Sequence, residues 1–330
     1  MATTDRRFRV GPRYALPVKV TLLAGGTGGA KLAGGLQAVL PHGDLTVIVN
    51  VGDDAEHHGL LVCPDLDTVM YTLAGLANRE QGWGVAGDTF TAMAQLERYG
   101  AETWFRIGDA DLATHVRRAH LMAEGAPLSA ATAEMAAALG VPSHLLPATD
   151  DRLRTRLITD TGELDFQAYF VERRQRDEVR AVRFDGADAA RPSPEALDAL
   201  ATAELLVIGP SNPIVSVGPI LAIPGMREAL LASPAPRIGV SGIVAGKALR
   251  GPADRMLTSL GHESSALGVA RLYEGLVELF VIDEADATLA PGIEALGMAV
   301  SVLPTVMRDD EDRARLARAL VELGEGMLRR

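Results

Sequence analysis

Asp53, Asp54, Asp65 and Asp67 crowd into one short stretch, soon after the glycine-rich run Gly25-Gly26-Thr27-Gly28-Gly29-Ala30-Lys31. Glycines let backbone N–H groups approach an anion without side-chain obstruction, and a helix starting there adds orphan donors and a partial positive charge. Lys31 adds a full charge. The run is therefore a candidate phosphate site. Carboxylates beside a phosphate repel it unless a hard cation lies between them, which makes Mg2+ the expected cofactor. All four aspartates are candidate metal ligands. Asp53, Asp54 and Asp67 are the candidate catalytic residues, one of them serving as a base toward an attacking hydroxyl. An acidic residue about 20 positions beyond the glycines holds a ribose hydroxyl in dinucleotide folds, a second use for this cluster.

Two stricter fingerprints are absent. A P-loop needs Ser or Thr after its Gly-Lys pair, but Ala30-Lys31-Leu32 supplies no hydroxyl for the metal. The dinucleotide pattern has Lys31 where its third glycine belongs.

The elements around these residues alternate. Val18 to Ala24 reads as a buried strand, and Leu32, Leu36 and Val39 recur at helical spacing behind the glycines. Leu45 to Asn50 is a second strand, ending in Asn50-Val51-Gly52-Asp53-Asp54. In a parallel sheet the strand ends open on one edge, which brings the aspartates to the glycine loop. Pro64-Asp65-Leu66-Asp67-Thr68 opens a helix with Asp67 or Thr68 as its N-cap. His57 and His58, in the loop between, are expected at the surface. Helices over Thr89–Tyr99, Leu112–Met122 and Ser129–Leu139 make an insertion of about 68–145 over the C-terminal edge of the strands. Within it, Trp83, Trp104 and Phe105 offer flat apolar walls for a ring system, with Arg106 beside them.

Arg152 to Thr159 and Glu163 to Val171 alternate about Asp160-Thr161-Gly162, the signature of a hairpin over about 152–171. The mixed-charge run Glu172 to Arg180 reads as solvated. Glu204 to Ile208 is again a strand, followed by Gly209-Pro210-Ser211-Asn212-Pro213, a stiff loop that presents the Ser211 hydroxyl and the Asn212 amide. Arg237–Val240, Leu279–Ile282 and Ala299–Leu303 continue the strand pattern, and an amphipathic helix begins at Asp309. The expected class is α/β: a Rossmann-like, mostly parallel sheet with helices on both faces and the helical insertion. Residues 1–17 are expected to be a flexible extension and 18–330 one α/β domain.

A net charge of −11 argues against a nucleic-acid or anionic-membrane binder and leaves small molecules as the expected partners. Arg6-Arg7 has no apolar stretch after it before Gly11 and Pro12, so an export signal is not expected. The most apolar region, Leu205 to Met226, is broken by Pro210, Pro213, Pro219 and Pro224. The single cysteine, Cys63, excludes an internal disulfide, fits a cytoplasmic setting and reads as a small core residue.

Taken together, Ala24 to Lys31, Asn50-Val51-Gly52-Asp53-Asp54, Pro64-Asp65-Leu66-Asp67-Thr68, Gly87-Asp88-Thr89-Phe90 and Gly209-Pro210-Ser211-Asn212-Pro213 resemble the CofD/FbiA family. These are the 2-phospho-L-lactate transferases of coenzyme F-420 biosynthesis, and the likeness runs from about Val18 to Met307. The resemblance implies a magnesium-dependent, dimeric transferase acting on the deazaflavin Fo and a guanylated organic acid. The terminal ribityl hydroxyl of Fo attacks the phosphorus bearing lactate or, in the actinobacterial branch, enolpyruvate, and GMP leaves. By motif position, Asp67 and Arg106 would contact Fo. Gly25, Gly26, Thr27, Gly28, Gly29 and Lys31 would hold donor phosphates, with Asn50, Ser211 and Asn212 also on the substrate side. Ser241-Gly242-Ile243-Val244 departs from the family's Ser-Pro-Ile-Ile. The alternative is a nucleotide-sugar-binding regulator of the related YvcK type, which shares the glycine loop and the Asn50 to Asp54 motif. The Gly209 to Pro213 loop and Phe166-Gln167-Ala168-Tyr169 favour the transferase.

Overall fold

A run of apolar and β-branched residues without a charge suits a strand covered on both faces. Val20–Ala24 forms such a strand, β1, buried at every position. Residues 18–329 are described by this computed structural model, and the extension expected over 1–17 lies outside the described residues. After β1 come α1 (Gly26–Val39), β2 (Leu45–Val49), the hairpin β3 (Ala55–His57) and β4 (Leu60–Val62), α2 (Pro64–Leu73), α3 (Thr91–Arg98), α4 (Asp109–Ala123), α5 (Leu128–Ala138) and β5 (His144–Pro147). Next are β6 (Arg154–Thr159), β7 (Gly162–Asp165), β8 (Val179–Asp185), α6 (Pro194–Thr202), β9 (Leu205–Ile208), α7 (Gly218–Ala222), α8 (Met226–Ala232) and β10 (Arg237–Val240). The chain closes with β11 (Ile243–Val244), β12 (Lys247–Ala248), α9 (Ala253–Ser259), α10 (Ala266–Leu272), β13 (Leu279–Ile282), α11 (Ala290–Glu294), β14 (Ala299–Val302) and α12 (Asp310–Leu328).

Seven strands pair in parallel in the order β14-β13-β10-β9-β1-β2-β5. From β1 the chain works outward to β5, then returns to the other side of β1 and works outward again to β14. Parallel crossovers are right-handed, so this reversal sends the helices of the two halves to opposite faces. It also leaves a crevice beyond the carboxyl ends of β1 and β9. On one face α1 packs against α2 and α12. Leu22, Leu23, Val47, Ile48, Val207 and Ile208 are all buried in the central strands. At about 1.5–3 kcal/mol for each such side chain, they give the crevice a firm base.

Several local expectations are corrected. Helix α2 begins at Pro64 with Cys63 at its N-cap, so neither Asp67 nor Thr68 is the cap and both Asp65 and Asp67 lie in its first turn. Proline suits that first position because the N–H it lacks has no helical partner, and carboxylates there oppose the helix dipole. The strand read over 163–171 ends at Asp165, and Ala168–Glu172 winds into a π-helix that buries Tyr169. Strand β6 instead takes β8 on its other edge, giving a three-stranded antiparallel sheet, β7-β6-β8. The charged run read as solvated therefore leads into β8, whose Val179 packs with Leu157, Tyr169, Val215 and Met256. Strand β5, not expected from the sequence, begins at the close of the helical insertion and pairs with β2. Among the described residues, no single helix is long and apolar enough to cross a membrane.

Gly34 and Gly35 stand side by side in α1 in different surroundings. A Cβ on Gly35 would run into the Arg313 carbonyl oxygen of α12, whereas on Gly34 it meets only Thr72 Cγ2 at 3.3 Å. Replacing glycine by alanine inside a helix gains up to about 1 kcal/mol, and overpacking costs about 1–3 kcal/mol. Gly35→Ala is therefore expected to lower stability in denaturant titrations, by about 1–2 kcal/mol, and Gly34→Ala to leave it unchanged or raise it.

Candidate functional site

The crevice between β1 and β9 deepens into a cleft of about 620 Å³. Its floor is the start of α1. Gly25 stands at the N-cap in an extended conformation, φ −156°, with no side chain of its own to cap the helix, and Gly26 adopts φ +60°. Only glycine enters that left-handed region at little cost. A Cβ on Gly28 would strike the Pro210 carbonyl oxygen, so the β1 and β9 loops touch backbone to backbone. Gly25, Gly26, Thr27, Gly28 and Lys31 line the cleft. Gly29 does not; it packs beneath, where a Cβ would lie 2.7 Å from Ser211 Oγ and 2.8 Å from the Ala24 side chain. Beyond Gly26, whose N–H is taken by the Asp65 carboxylate, the first-turn N–H groups of α1 present a positively polarised end to the cleft. Lys31 donates to the Met307 carbonyl at 2.9 Å. Burial foremost, then Arg313 and Arg250, hold its pKa below the usual lysine value.

The four aspartates do not form one cluster. Asp53 and Asp65 face the cleft together and share the Asn50 amide, which donates to Asp53 Oδ1 at 3.1 Å and Asp65 Oδ2 at 2.9 Å. Asn50 is buried behind them, its oxygen accepting from Gly52 N at 2.8 Å, so its side chain bridges the pair. Gln167 adds a second neutral amide, 3.4 Å from Asp53 Oδ2. Burial pushes Asp65 up to about 6. Burial and then the Asp65 charge hold Asp53 well above the ordinary carboxylate range. Two buried carboxylates whose side-chain partners are neutral amides fit a hard divalent cation, and Mg2+ commonly takes one or two carboxylates with the remaining oxygens from substrate and water.

Asp54 is set apart from this pair. It lies in an adjoining polar pocket with His57, Arg152 and Arg154, and its Oδ1 has no hydrogen-bond partner. Burial pushes it up to about 7, against the pull of Arg154 and a hydrogen bond from the Cys63 thiol.

Asp67 lines the cleft but is held from behind by α4. Arg118, 1% exposed, donates to both carboxylate oxygens, Nη1 to Oδ2 at 3.2 Å and Nη2 to Oδ1. Burial works against the guanidinium charge, yet the Asp67 carboxylate more than offsets it. Arg118 Nη1 also lies 3.1 Å from His115 Nδ1. A guanidinium only donates, so Nδ1 accepts and the ring proton sits on Nε2, 3.4 Å from Asp111 Oδ1. Tyr71 donates to that same oxygen at 2.8 Å. Asp67, Asp111 and His115 bring ligand-type atoms within 4.8 Å of one another. With Nε2 protonated and Arg118 already facing Asp67, the group is an ion-pair brace between α2 and α4, not a second cation site.

The cleft is also lined by aromatic side chains, Trp83, Trp104, Phe105, Phe166 and Phe170. Arg106 is exposed there, its guanidinium carbon 4.1 Å from the Phe90 ring centroid. His57, expected at the surface, instead stacks on Phe105 at 4.0 Å between centroids, and burial lowers its pKa to about 4. Ser211 and Asn212 both line the cleft but are partly committed. The Ser211 hydroxyl accepts from Gly25 N at 3.1 Å and donates to Gly25 O at 2.8 Å. Asn212 Oδ1 accepts from Ile214 N at 2.9 Å, which leaves its amide Nδ2 against Met256 Sδ at 3.6 Å.

Asp111, His115 and Arg118 were missed in the sequence: the expected helix began at Leu112, and its actual start at Asp109 puts all three on one face. Arg250 and Thr305, also on the cleft, carry no local signal.

A family model described as 2-phospho-L-lactate transferase CofD matches residues 20–297. A phosphoenolpyruvate transferase from Streptomyces griseus is 43% identical over 314 residues, covering 93% of this chain and 99% of that protein. A protein of the same description from Mycobacterium bovis is 40% identical, with 93% and 98% covered. The fold is similar to that of a UPF0052 family protein from Bacillus halodurans, with TM-score 0.58, 18% identity, and 92% of this chain and 98% of that one covered.

Two outcomes follow from the carboxylates. Asp53, Asp54 and Asp65 bind protons more tightly in the folded chain than at their ordinary value of 3.8. The stability they contribute is complete below about pH 4 and is lost as pH rises through about 6 and 7. In EDTA the melting temperature is expected to fall across that window, and added Mg2+ to raise it at about pH 7.5 but not at about pH 5. An equal rise at both would count against an ion on the Asp53–Asp65 pair. Separately, Arg118→Met strands Asp67 in the interior and is expected to cost about 3–5 kcal/mol in denaturant titrations, much of it recovered by adding Asp67→Asn.

Proposed function

Because the chain belongs to the 2-phospho-L-lactate transferase CofD family, we propose that it is a transferase of coenzyme F-420 biosynthesis, moving an organic-acid phosphate from a guanosine diphosphate ester to the deazaflavin Fo. The carrying observation is the meeting, in one cleft, of the glycine-lined α1 terminus, the Asp53–Asp65 pair and a set of aromatic side chains. The description of relatives 43% and 40% identical as phosphoenolpyruvate transferases favours enolpyruvate as the acid.

In this reading the N–H groups of Thr27 and Gly28 and the Lys31 ammonium hold the donor phosphates, at the end of the glycine loop that begins with Gly25 and Gly26. Asp53 and Asp65 are the ligands for Mg2+, which when bound offsets phosphate charge that the two carboxylates would otherwise repel. Trp83, Trp104, Phe105 and Arg106 receive the flat acceptor. Asp67, held in place by Arg118, accepts a hydrogen bond from the ribityl hydroxyl and aligns it with the phosphorus. A new P–O bond forms to that hydroxyl, the P–O bond to GMP breaks, and GMP departs. Phosphoryl-type transfer has a loose transition state, so a carboxylate already paired with arginine serves: the hydroxyl keeps its proton until the new P–O bond is largely formed and then passes it to Asp67. Asn212 Nδ2 faces the nucleotide side. A cytoplasmic homodimer belongs to the same reading.

The test supplies Fo, Mg2+ and each guanylated acid in turn and reads product mass. The enolpyruvyl product and GMP are expected with the enolpyruvyl donor, and Asp67→Asn is expected to reduce turnover by about a hundredfold or more while remaining folded. Thermal stabilisation by a UDP-sugar and not by GDP, with no product from any donor, would overturn the transferase reading in favour of a binding protein.

A further inference from the structure

The segment Glu80 to Gly84 crosses the mouth of the cleft and is held there from two sides. Thr27 Oγ1, on the glycine loop, donates to the Gly82 carbonyl at 3.1 Å. From the opposite rim Arg250 donates through Nη2 to the Glu80 carbonyl at 2.8 Å and through Nη1 to that of Gln81. The segment has its own internal order: Asn78 Oδ1 accepts from Glu80 N at 3.2 Å and Gln81 N at 3.1 Å, and Gly82 N donates to Asn78 O at 2.8 Å. Gly82 and Gly84 adopt φ +83° and +71°. Between them Trp83, which also lines the cleft, is left 45% exposed, a large aromatic at the mouth with one side open.

The charges at this rim are one-sided. Lys31 and Arg250 both line the cleft, and their hydrogen-bond partners are backbone carbonyls. Neither meets a carboxylate among the described residues, and each lies close enough to the other for repulsion to weaken Lys31's hold on its proton. Two mutually repelling cations at the glycine loop, without a carboxylate of their own, are relieved by an anion that both can reach. A guanidinium has five N–H groups in a rigid fork, enough to hold carbonyls and phosphate oxygens together.

We infer that Arg250 binds the diphosphate of the donor and, through the Glu80 and Gln81 carbonyls, couples donor binding to the placement of Trp83 against the flat acceptor. The inference rests on the donor proposed above. A diphosphate that fixes the Arg250 fork also fixes the segment hanging from it. Ordering cost met by the first ligand is spared the second, so donor and acceptor each tighten the other.

The test is calorimetric titration of the full chain with GDP and Mg2+, and of Fo with and without saturating GDP, for the wild type, Arg250→Gln and Arg250→Lys. Arg250 is exposed, and melting curves check that both variants are folded. Arg250→Gln is expected to weaken GDP at least about tenfold, Arg250→Lys by no more than about threefold because its charge remains, and GDP to tighten Fo about threefold in the wild type but not in Arg250→Gln. Undiminished GDP affinity in Arg250→Gln would overturn the inference and leave the transferase reading standing. Equal losses in both variants would make Arg250 a tie for the segment and nothing more, which also overturns it. Fo affinity indifferent to GDP in the wild type would remove the coupling. A wild type that binds neither GDP nor Fo would remove the transferase reading, and the inference with it.

Discussion

The peptide of Gly25 and the hydroxyl of Ser211 exchange hydrogen bonds across 186 residues of sequence, and the organisation of the cleft depends on that exchange. The two residues follow β1 and β9, the strands between which the sheet reverses direction. Pinning one loop to the other makes the reversal point a single rigid piece, with Gly28 close against the Pro210 carbonyl. Every other functional group is placed relative to that piece. Asp65 accepts from the Gly26 N–H, Asn50 carries the arrangement on to Asp53, and Gln167 attaches the small antiparallel sheet. The tie also explains why a serine hydroxyl at a strand end, which looks free in the sequence, is already spent.

Around this piece, charge is sorted by position. Asp65, Asp67 and Asp111 come from α2 and α4 and Asp53 from the loop after β2, while Lys31 and Arg250 bond backbone carbonyls elsewhere on the cleft. Arg118 keeps the first group from being uniformly repulsive by bracing Asp67 from inside. A buried ion pair of this kind adds little net stability, since desolvation offsets most of its attraction. What it does is fix an orientation: His115 Nδ1 accepts from Arg118, and Tyr71 of α2 donates to Asp111 on the same face of α4.

Much of the architecture was legible because its signal is local. Runs such as Leu205–Ile208 and Leu279–Ile282 have no other stable fate than a covered strand, and β10 and β13 fall on the expected residues. The glycine loop was legible for the same reason, since its conformation is dictated by neighbours in the chain. What was not legible depends on direction. Asp53 and Asp54 are adjacent and chemically alike, yet one turns to the cleft and the other to Cys63 and Arg154. Arg118 has the charge of a surface residue, and only the packing of α4 on β4 and α5 puts it inside. Strand β5 is four residues long at the sheet edge, and its mixed burial gives neither period a chance to show.

The chain has two tryptophans, and both border the same cleft, Trp83 at its mouth and Trp104 on its aromatic side. One is almost half exposed. Ultraviolet emission excited at the indole band therefore arises wholly from the walls of this cavity, with no background from elsewhere in the molecule. A conjugated ring seated between the indoles would quench that light, so the protein carries a built-in optical reporter of occupancy and needs no attached dye.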